Sequence, residues 1–159
     1  MNEKYKKLPL RRGVGIVLLN NKNSIFVGKR IDNPKNFWQM PQGGVDNNEN
    51  LFEAAKRELE EETSIKSTEL IKELDFWLEY NLPKNLIDKI WKGKYRGQKQ
   101  KWFIMKFTGN EDEINIKTEN PEFLKWKWIR PSKLTDIVVH FKHDVYSKIK
   151  QELRSLNLI

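Results

Sequence analysis

The fold of this chain is decided by residues 43–65, which read GGVDNNENLFEAAKRELEEETSI. Gly43–Asn48 is rich in Gly, Asp and Asn, which favour turns, so we predict a loop there. A helix should follow over Asn50–Thr63, because Asn50 is a favourable N-cap and Glu53 stands three residues later, as in a capping box. The segment therefore predicts a loop that leads directly into a helix.

One face of the predicted helix changes from apolar to acidic along its length. This face runs through Leu51, Ala55, Glu58 and Glu62. Glu61 lies three residues after Glu58 and next to Glu62, so the three carboxylates can converge. Like charges at this spacing repel by a few tenths of a kcal/mol, and acids in the last turn oppose the helix macrodipole by roughly 0.3–1 kcal/mol each.

A divalent cation bound by these acids would remove both penalties. Clustered carboxylates are hard oxygen ligands, which suit Mg²⁺ or Mn²⁺ rather than thiophilic metals. The alternative interpretation of the helix is a solvated acidic end that binds no ligand.

The spacing of residues 43–65 resembles the Nudix box. That signature is Gly, five residues, Glu, seven residues, Arg-Glu, an aliphatic, any residue, Glu-Glu, any residue, Gly and an aliphatic. Every fixed position matches except the last Gly, which is Ser64 in this chain. The family's Gly ends the helix in a left-handed conformation, where a Ser costs about 1 kcal/mol. The resemblance implies an α/β fold, the Nudix α/β/α sandwich with a mixed β-sheet.

The resemblance also implies roles for single residues. The catalytic acids would be Glu58, Glu61, Glu62 and Glu122, and the metal-binding set would be these four together with Gly43. Glu49 and Arg57 would form an ion pair that braces the loop against the helix. Gly43 and Gly44 would let the backbone approach the metal, because glycine lacks a Cβ and tolerates positive φ.

Segments outside the box resemble the bacterial RNA pyrophosphohydrolases, also known as (di)nucleoside polyphosphate hydrolases. These segments are Val14–Val17, Phe37–Gly44, Gly97–Phe103, Glu113–Ile116, Pro121–Phe123 and Phe141–Tyr146. The implied activity is removal of pyrophosphate from 5′-triphosphorylated RNA, which initiates mRNA decay. Two alternatives stay open: a diadenosine polyphosphate hydrolase that clears alarmone nucleotides, and a catalytically silent domain that only binds RNA or nucleotides.

A set of basic, amide and aromatic residues would bind the substrate by this resemblance. The set is Arg11, Arg30, Gln42, Gln98, Lys99, Lys101, Phe141 and Lys142. Lys and Arg can hold phosphate oxygens, and a Phe beside a Lys offers a stacking face next to a cation. One departure from the group is Arg12-Gly13, where many members carry Pro and another residue, and it is expected to alter the N-terminal phosphate contact.

The implied chemistry is metal-assisted hydrolysis of a phosphoanhydride. A metal ion offsets charge on the phosphate oxygens and lowers the pKa of a bound water. One glutamate outside the inner ligand set would accept the proton, and the sequence leaves Glu61 and Glu122 as alternatives.

The rest of the chain predicts strands mixed with a few helices. We predict a hairpin of Val14–Leu19 with Ser24–Arg30, strands over Leu70–Tyr80, Lys101–Phe107 and Phe123–Ile129, and a terminal helix over His140–Leu156. With the acidic helix between them, these elements imply an α/β sandwich.

Composition sets the remaining bounds. A length of 159 residues suits one domain over residues 1–159, and the absence of cysteine excludes disulfides and thiolate metal sites. The formal net charge of +8 indicates either polyanionic partners or a bias set by codon composition. No secretion signal or membrane-spanning run is found, so we expect a cytoplasmic protein with no membrane contact and no obligate protein partner.

Overall fold

The computed structural model describes residues 3–32 and 35–159. The strands found in that part of the chain are β1 (Leu10–Leu19), β2 (Ile25–Arg30), β3 (Gln42–Gly44), β4 (Thr68–Asn81), β5 (Gly97–Phe107) and β6 (Phe123–Ile129). Its α-helices are α1 (Glu3–Lys6), α2 (Leu51–Thr63), α3 (Lys84–Ile87) and α4 (His143–Ser155). Short 3₁₀ helices lie at Trp91–Gly93, Glu111–Glu113, Pro131–Lys133 and His140–Lys142.

The strands form one mixed sheet in the order β4-β5-β1-β2-β6, with β3 paired to β1 beside that path. β1 runs parallel to β5, whereas β1–β2, β1–β3, β2–β6 and β4–β5 are antiparallel pairs. The predicted hairpin is confirmed, because Leu19 of β1 pairs with Ile25 of β2.

Each face of the sheet carries its own hydrophobic core. On one face, Tyr146 and Ile149 of α4 are fully buried in the same cluster as Trp102. On the other face, Ala55 and Leu59 of α2 pack with the cluster that contains Phe103. Helices therefore cover both faces of a mixed sheet, which confirms the predicted α/β/α sandwich. No helix of the described residues is long and apolar enough to cross a membrane.

Several predicted boundaries were wrong. β1 begins at Leu10 rather than at Val14, because its first residues pair with β5. Gln42–Gly44 was expected in part as loop but forms β3. Gly43 and Gly44 pair with β1, opposite Val14 and Gly13. β5 begins at Gly97 rather than at Lys101, since its polar first residues pair with β1 and β4 although they show no apolar alternation.

Both ends of α2 follow the local sequence. Asn50 Oδ1 accepts hydrogen bonds from the backbone N–H groups of Phe52 (2.9 Å) and Glu53 (3.1 Å), as predicted for the N-cap. Ser64 ends the helix in the left-handed region at φ 67°, and its N–H donates to the Glu60 carbonyl. The Ser64 hydroxyl donates to the carbonyl of Asn115 at 2.8 Å, so a side-chain hydrogen bond anchors the strained residue.

We expect Ser64→Gly to be more stable than Ser64→Ala by about 1 kcal/mol, because both variants lose the hydroxyl and only alanine keeps a Cβ at positive φ. Urea unfolding of the two variants measures this difference. Lys148, exposed in the middle of α4, is the control, since Gly should be less stable than Ala there. The same order of stability at both positions would contradict the assignment.

Candidate active site

Close contact between β3 and α2 brings the acidic helix against the sheet. A Cβ built on Gly43 would lie 2.0 Å from Cδ of Glu58 and 2.1 Å from its Oε2. A Cβ on Gly44 would lie 2.1 Å from Nη2 of Arg11. Gly93 is the glycine with positive φ in the described chain, so of the two properties expected of Gly43 and Gly44 the structure uses the missing Cβ and not the tolerance of positive φ. These two glycines are required because a side chain would occupy the space of Glu58 and Arg11.

Glu62 is a buried acid whose negative charge is only partly compensated, by the positive charge of Arg30 and a backbone hydrogen bond from Gln42. The residue is 5% exposed, and its Oε2 has no hydrogen-bond partner among the described residues. Burial raises the pKa of Glu62 well above its usual value, and the nearby charges of Glu58 and Glu122 raise that pKa further. Burial also raises the pKa of Glu58 to about 7, an effect that Arg57 opposes. The site therefore concentrates carboxylates in a place where their negative charge is unfavourable.

Glu61 shares Arg57 with Glu58, and its charge raises the pKa of Glu58, but it is exposed where Glu62 is buried. Its side chain is 57% exposed and accepts two hydrogen bonds of 3.2 Å from Arg57 Nη1. In the described residues, no group of three or more His, Cys, Asp or Glu is arranged to hold a metal ion. Glu58 and Glu122 are near enough to raise the pKa of Glu62, whereas the Glu61 side chain is exposed and bonds Arg57.

Arg57 braces the loop that follows β3. Its Nε and Nη2 donate to the two oxygens of Glu49 at 2.8 and 2.9 Å, so the predicted contact is present. Nη2 also donates to the Gly44 carbonyl at 3.0 Å, and Nη1 donates to Glu58 at 3.0 Å. The bonds from Arg57 lower the pKa of Glu49 to about 2. One guanidinium thus links the loop, the end of β3 and the acidic face of α2.

A cavity of about 610 Å³ opens beside β3 on the sheet face that carries α4. The predicted substrate residues that line it are Arg30, Gln42, Phe141 and Lys142. Lys142 is buried, and its Nζ donates to Oε1 of Gln39 at 3.1 Å. Burial lowers the pKa of Lys142 to about 7, and the positive charge of Arg30 lowers that pKa further. A bound anion would favour the protonated form of this lysine.

The walls of the cavity are aromatic and apolar. Phe141 lies 5.8 Å from Tyr80 between ring centroids, and Trp38 and Leu86 also line the space. Such walls beside a few polar groups suit a nucleobase or another flat ring.

A chain of amide side chains extends from the cavity along β5. Gln100 Nε2 donates to Oε1 of Gln42 at 3.1 Å and to Oε1 of Gln98 at 2.8 Å, and the Tyr80 hydroxyl donates to Gln98. Gln98 Nε2 is buried and has no partner within residues 3–32 and 35–159. It is therefore a free donor next to Gly13, where a Cβ would lie 2.3 Å away.

Lys99 and Lys101 lie apart from this cavity. Side chains alternate along β5, so these two lysines face the opposite side of the sheet from Gln98 and Gln100. Their Nζ atoms lie 5.6 and 6.0 Å from the ring centroid of Trp77 on β4. The structure thus separates them from the other predicted substrate residues.

The two predicted arginines lie at different edges of the site. Arg11 is next to Gly44, and its Cζ lies 5.1 Å from the Trp91 ring centroid. Arg30 forms two 2.8 Å hydrogen bonds with Asp32 and lies 3.6 Å from Glu122, which links the cavity to the acids.

Several residues of the site were not predicted from the sequence. They are Trp38, Gln39, Tyr80 and Gln100. Gln100 shares its strand face with Gln98, so strand alternation could have found it. Trp38 and Tyr80 gave no signal, because an aromatic residue in or near a strand is by default read as core.

Comparison with known proteins gives one consistent family. Residues 9–149 match the family model described as NUDIX domain. The RNA pyrophosphohydrolase of Pelagibacter ubique is 61% identical over 98% of this chain and 99% of that protein. The RNA pyrophosphohydrolase of Rickettsia conorii is 46% identical, covering 98% and 96%. The E. coli dihydroneopterin triphosphate pyrophosphohydrolase has the same fold, with a TM-score of 0.68 at 20% identity over 92% of this chain and 99% of that chain.

We expect the Glu49–Arg57 contact to contribute stability that is lost in acid. The pKa of Glu49 falls from a usual 4.5 to about 2, so its contribution is complete above the unfolded value and disappears as pH falls through the folded value. Chemical unfolding of the wild type and Glu49→Gln should differ most above pH about 5 and converge toward pH about 2. A difference that grows with acidification would contradict the assignment.

Proposed function

The chain belongs to the Nudix family, and we propose that it is an RNA pyrophosphohydrolase that removes pyrophosphate from 5′-triphosphorylated RNA and so initiates mRNA decay. One observation carries the proposal: β3 joins acids and cavity, since Gly43 contacts Glu58 while the preceding Gln42 lines the basic, aromatic cavity. A triphosphate at the acids can therefore belong to an RNA whose second base enters the cavity.

Nudix enzymes generally use divalent metal ions, and the acids of this chain fit such an ion. The unpartnered Oε2 of Glu62 is a free oxygen donor in a buried place, and the set offers only oxygen atoms. We propose that Glu58, Glu61, Glu62 and Glu122, with the backbone of Gly43, bind Mg²⁺ or Mn²⁺. Glu61 would exchange its bonds with Arg57 for this role.

When bound, the cation offsets charge on the phosphate oxygens and makes a water more acidic. We assign the acceptance of that water's proton to Glu61 or Glu122, both of which are partly exposed. Arg11, Arg30 and Lys142 stabilise the charge on the remaining phosphate oxygens. The amides of Gln42 and Gln98 orient the substrate. We propose that the protein acts on this RNA in the cytoplasm and without an obligate protein partner.

Two alternative functions are distinguished by experiment. A dinucleoside polyphosphate hydrolase would use the same acids and could place a second adenosine in the cavity. A silent domain that only binds RNA has no use for an acid as costly as buried Glu62. The substrate comparison below separates the first of these, and pyrophosphate release by the wild type excludes the second.

We expect Glu62→Gln to lower turnover by orders of magnitude while the fold persists, because the variant keeps the shape and removes a charged ligand. Release of pyrophosphate from triphosphorylated RNA with Mg²⁺ measures the loss, and circular dichroism measures the fold. The matched control is Glu60→Gln, an exposed acid of the same helix. Near-normal activity of Glu62→Gln would make the metal assignment wrong.

Phe141→Ala should weaken the use of RNA by roughly ten- to hundred-fold, because base stacking on an aromatic ring contributes about 1–3 kcal/mol. GTP should be affected less, since it has no second base. The measurement is kcat/KM for triphosphorylated RNA, diadenosine tetraphosphate and GTP. Phe141→Tyr keeps the ring and is the matched control.

A selective loss on RNA would support the RNA pyrophosphohydrolase. Equal losses on RNA and the dinucleotide would support the RNA pyrophosphohydrolase and the dinucleotide hydrolase equally. Unchanged values for all three substrates would contradict a base site at Phe141.

A further inference from the structure

Trp77 forms the centre of a cationic surface outside the active site. Trp77 lies on β4 and is 36% exposed. Cζ of Arg12 lies 5.7 Å from the ring centroid, and the Nζ atoms of Lys99 and Lys101 lie at 5.6 and 6.0 Å. We call these four residues the basic–aromatic patch. Three separate strands contribute to it, so it is a product of the sheet and not of one segment.

The register of the sheet explains the patch. Trp77 pairs with Lys101 across β4 and β5, and Arg12 pairs with Lys99 across β1 and β5. Directly opposed residues in a sheet share a face, so three like charges are brought together around one ring. Such proximity is unfavourable unless anions are close.

The acidic residues near the patch neutralise its positive charge only in part. Lys101 pairs with Glu73 at 3.9 Å, and Glu79 stands opposite Lys99 in the register. Among the described residues, neither Arg12 nor Lys99 forms an ion pair with a carboxylate. Two of the cations are therefore available to an external anion.

A polar groove leads from the active site toward the patch. A cavity of about 540 Å³ is lined by Arg11, Arg12, Tyr95 and residues 45–48. Arg11 lies against Gly44, next to the glycine that contacts Glu58, and the Arg12 carbonyl accepts from the N–H of Val45. The groove thus places Arg12, the first cation of the patch, beside Arg11, which lies against β3 at the edge of the acidic site.

We propose that the basic–aromatic patch binds the body of a single-stranded RNA, downstream of the nucleotides held at the active site. A partly exposed ring beside two exposed cations, Arg12 and Lys99, and the buried Lys101 suits this ligand, because every base offers a stacking face and every phosphate a charge. The surface thereby favours longer transcripts over free nucleotides. The inference rests on the proposed function for the 5′ end, but RNA binding by the patch is measurable without hydrolysis.

The first test measures binding of a fluorescent, unstructured RNA of about 15 nucleotides with a 5′-hydroxyl, near the upper end of common single-strand site sizes. This probe lacks the triphosphate and reports on the patch. Trp77→Ala should weaken its binding roughly five- to hundred-fold, the range given by one stacked base. Arg12→Gln should flatten the dependence of log K on log salt by about 1.

Phe76→Ala is the matched control. Phe76 is the neighbouring aromatic residue on the same strand, 40% exposed, and in the described part of the chain no cation lies over its ring. The Phe76→Ala variant should bind the probe as tightly as the wild type does. Trp77→Phe should restore most of the binding, because it keeps a stacking face. Circular dichroism of each variant separates loss of binding from loss of fold.

The second test measures KM and kcat for two substrates. One is a triphosphorylated dinucleotide, and the other is the RNA of the first test, about 15 nucleotides long, with a 5′-triphosphate in place of the 5′-hydroxyl. Trp77→Ala should raise KM for the long RNA only and leave kcat unchanged. Equal binding of the hydroxyl RNA by wild type and Trp77→Ala, or equal losses on the dinucleotide, would overturn the proposal. If the wild type binds the hydroxyl RNA through Trp77 but releases no pyrophosphate, the proposed function fails and the patch stands.

Discussion

The active site depends on the contact between the Gly43 backbone and the Glu58 carboxylate. Any Cβ at Gly43 would occupy the space of Glu58, so the missing side chain sets the distance between β3 and α2. Arg57 fixes this arrangement from outside by bonding Glu49, the Gly44 carbonyl and Glu58 at once. Because β3 is only three residues long, the same short strand brings the acids to the edge of the nucleotide cavity. A loss of this contact would separate the two halves of the site.

The site holds charges that favour ligands over solvent. Burial raises the pKa values of Glu58 and Glu62 and lowers that of Lys142, so each group is shifted toward its neutral form. A cation would restore the charged form of the acids, and a phosphate would restore that of the lysine. In the proposed reaction, a bound cation and the phosphates of the RNA would relieve opposite penalties on the two sides of β3. Burial of these groups is unfavourable in the empty site, and ligands that relieve this penalty therefore bind more tightly.

Strand alternation divides the residues that resemblance had grouped as substrate-binding between the two faces of the sheet. The segment Gly97–Phe103 as a whole is similar to that of the related enzymes, so Lys99 and Lys101 were grouped with Gln98 as substrate residues. In an extended strand, neighbouring side chains point to opposite faces, and the two lysines lie beside Trp77 instead. Their charge is thereby removed from the cavity and added to a surface that a longer polyanion could reach.

The sequence by itself determined the features that depend on local spacing. These are the α2 helix with Asn50 as its cap and the acidic face. The resemblance carried by the spacing of residues 43–65 added the left-handed end at Ser64, the Glu49–Arg57 pair and the sandwich fold. Only the tertiary structure decided which distant side chains meet: Tyr80 with Phe141, Gln100 with Gln42, and Arg12 with Trp77. It also decided that Glu61 bonds Arg57, away from the buried acids. Helical spacing limits where a side chain can point, but burial and competing partners, which come from other strands and loops, select the position it takes.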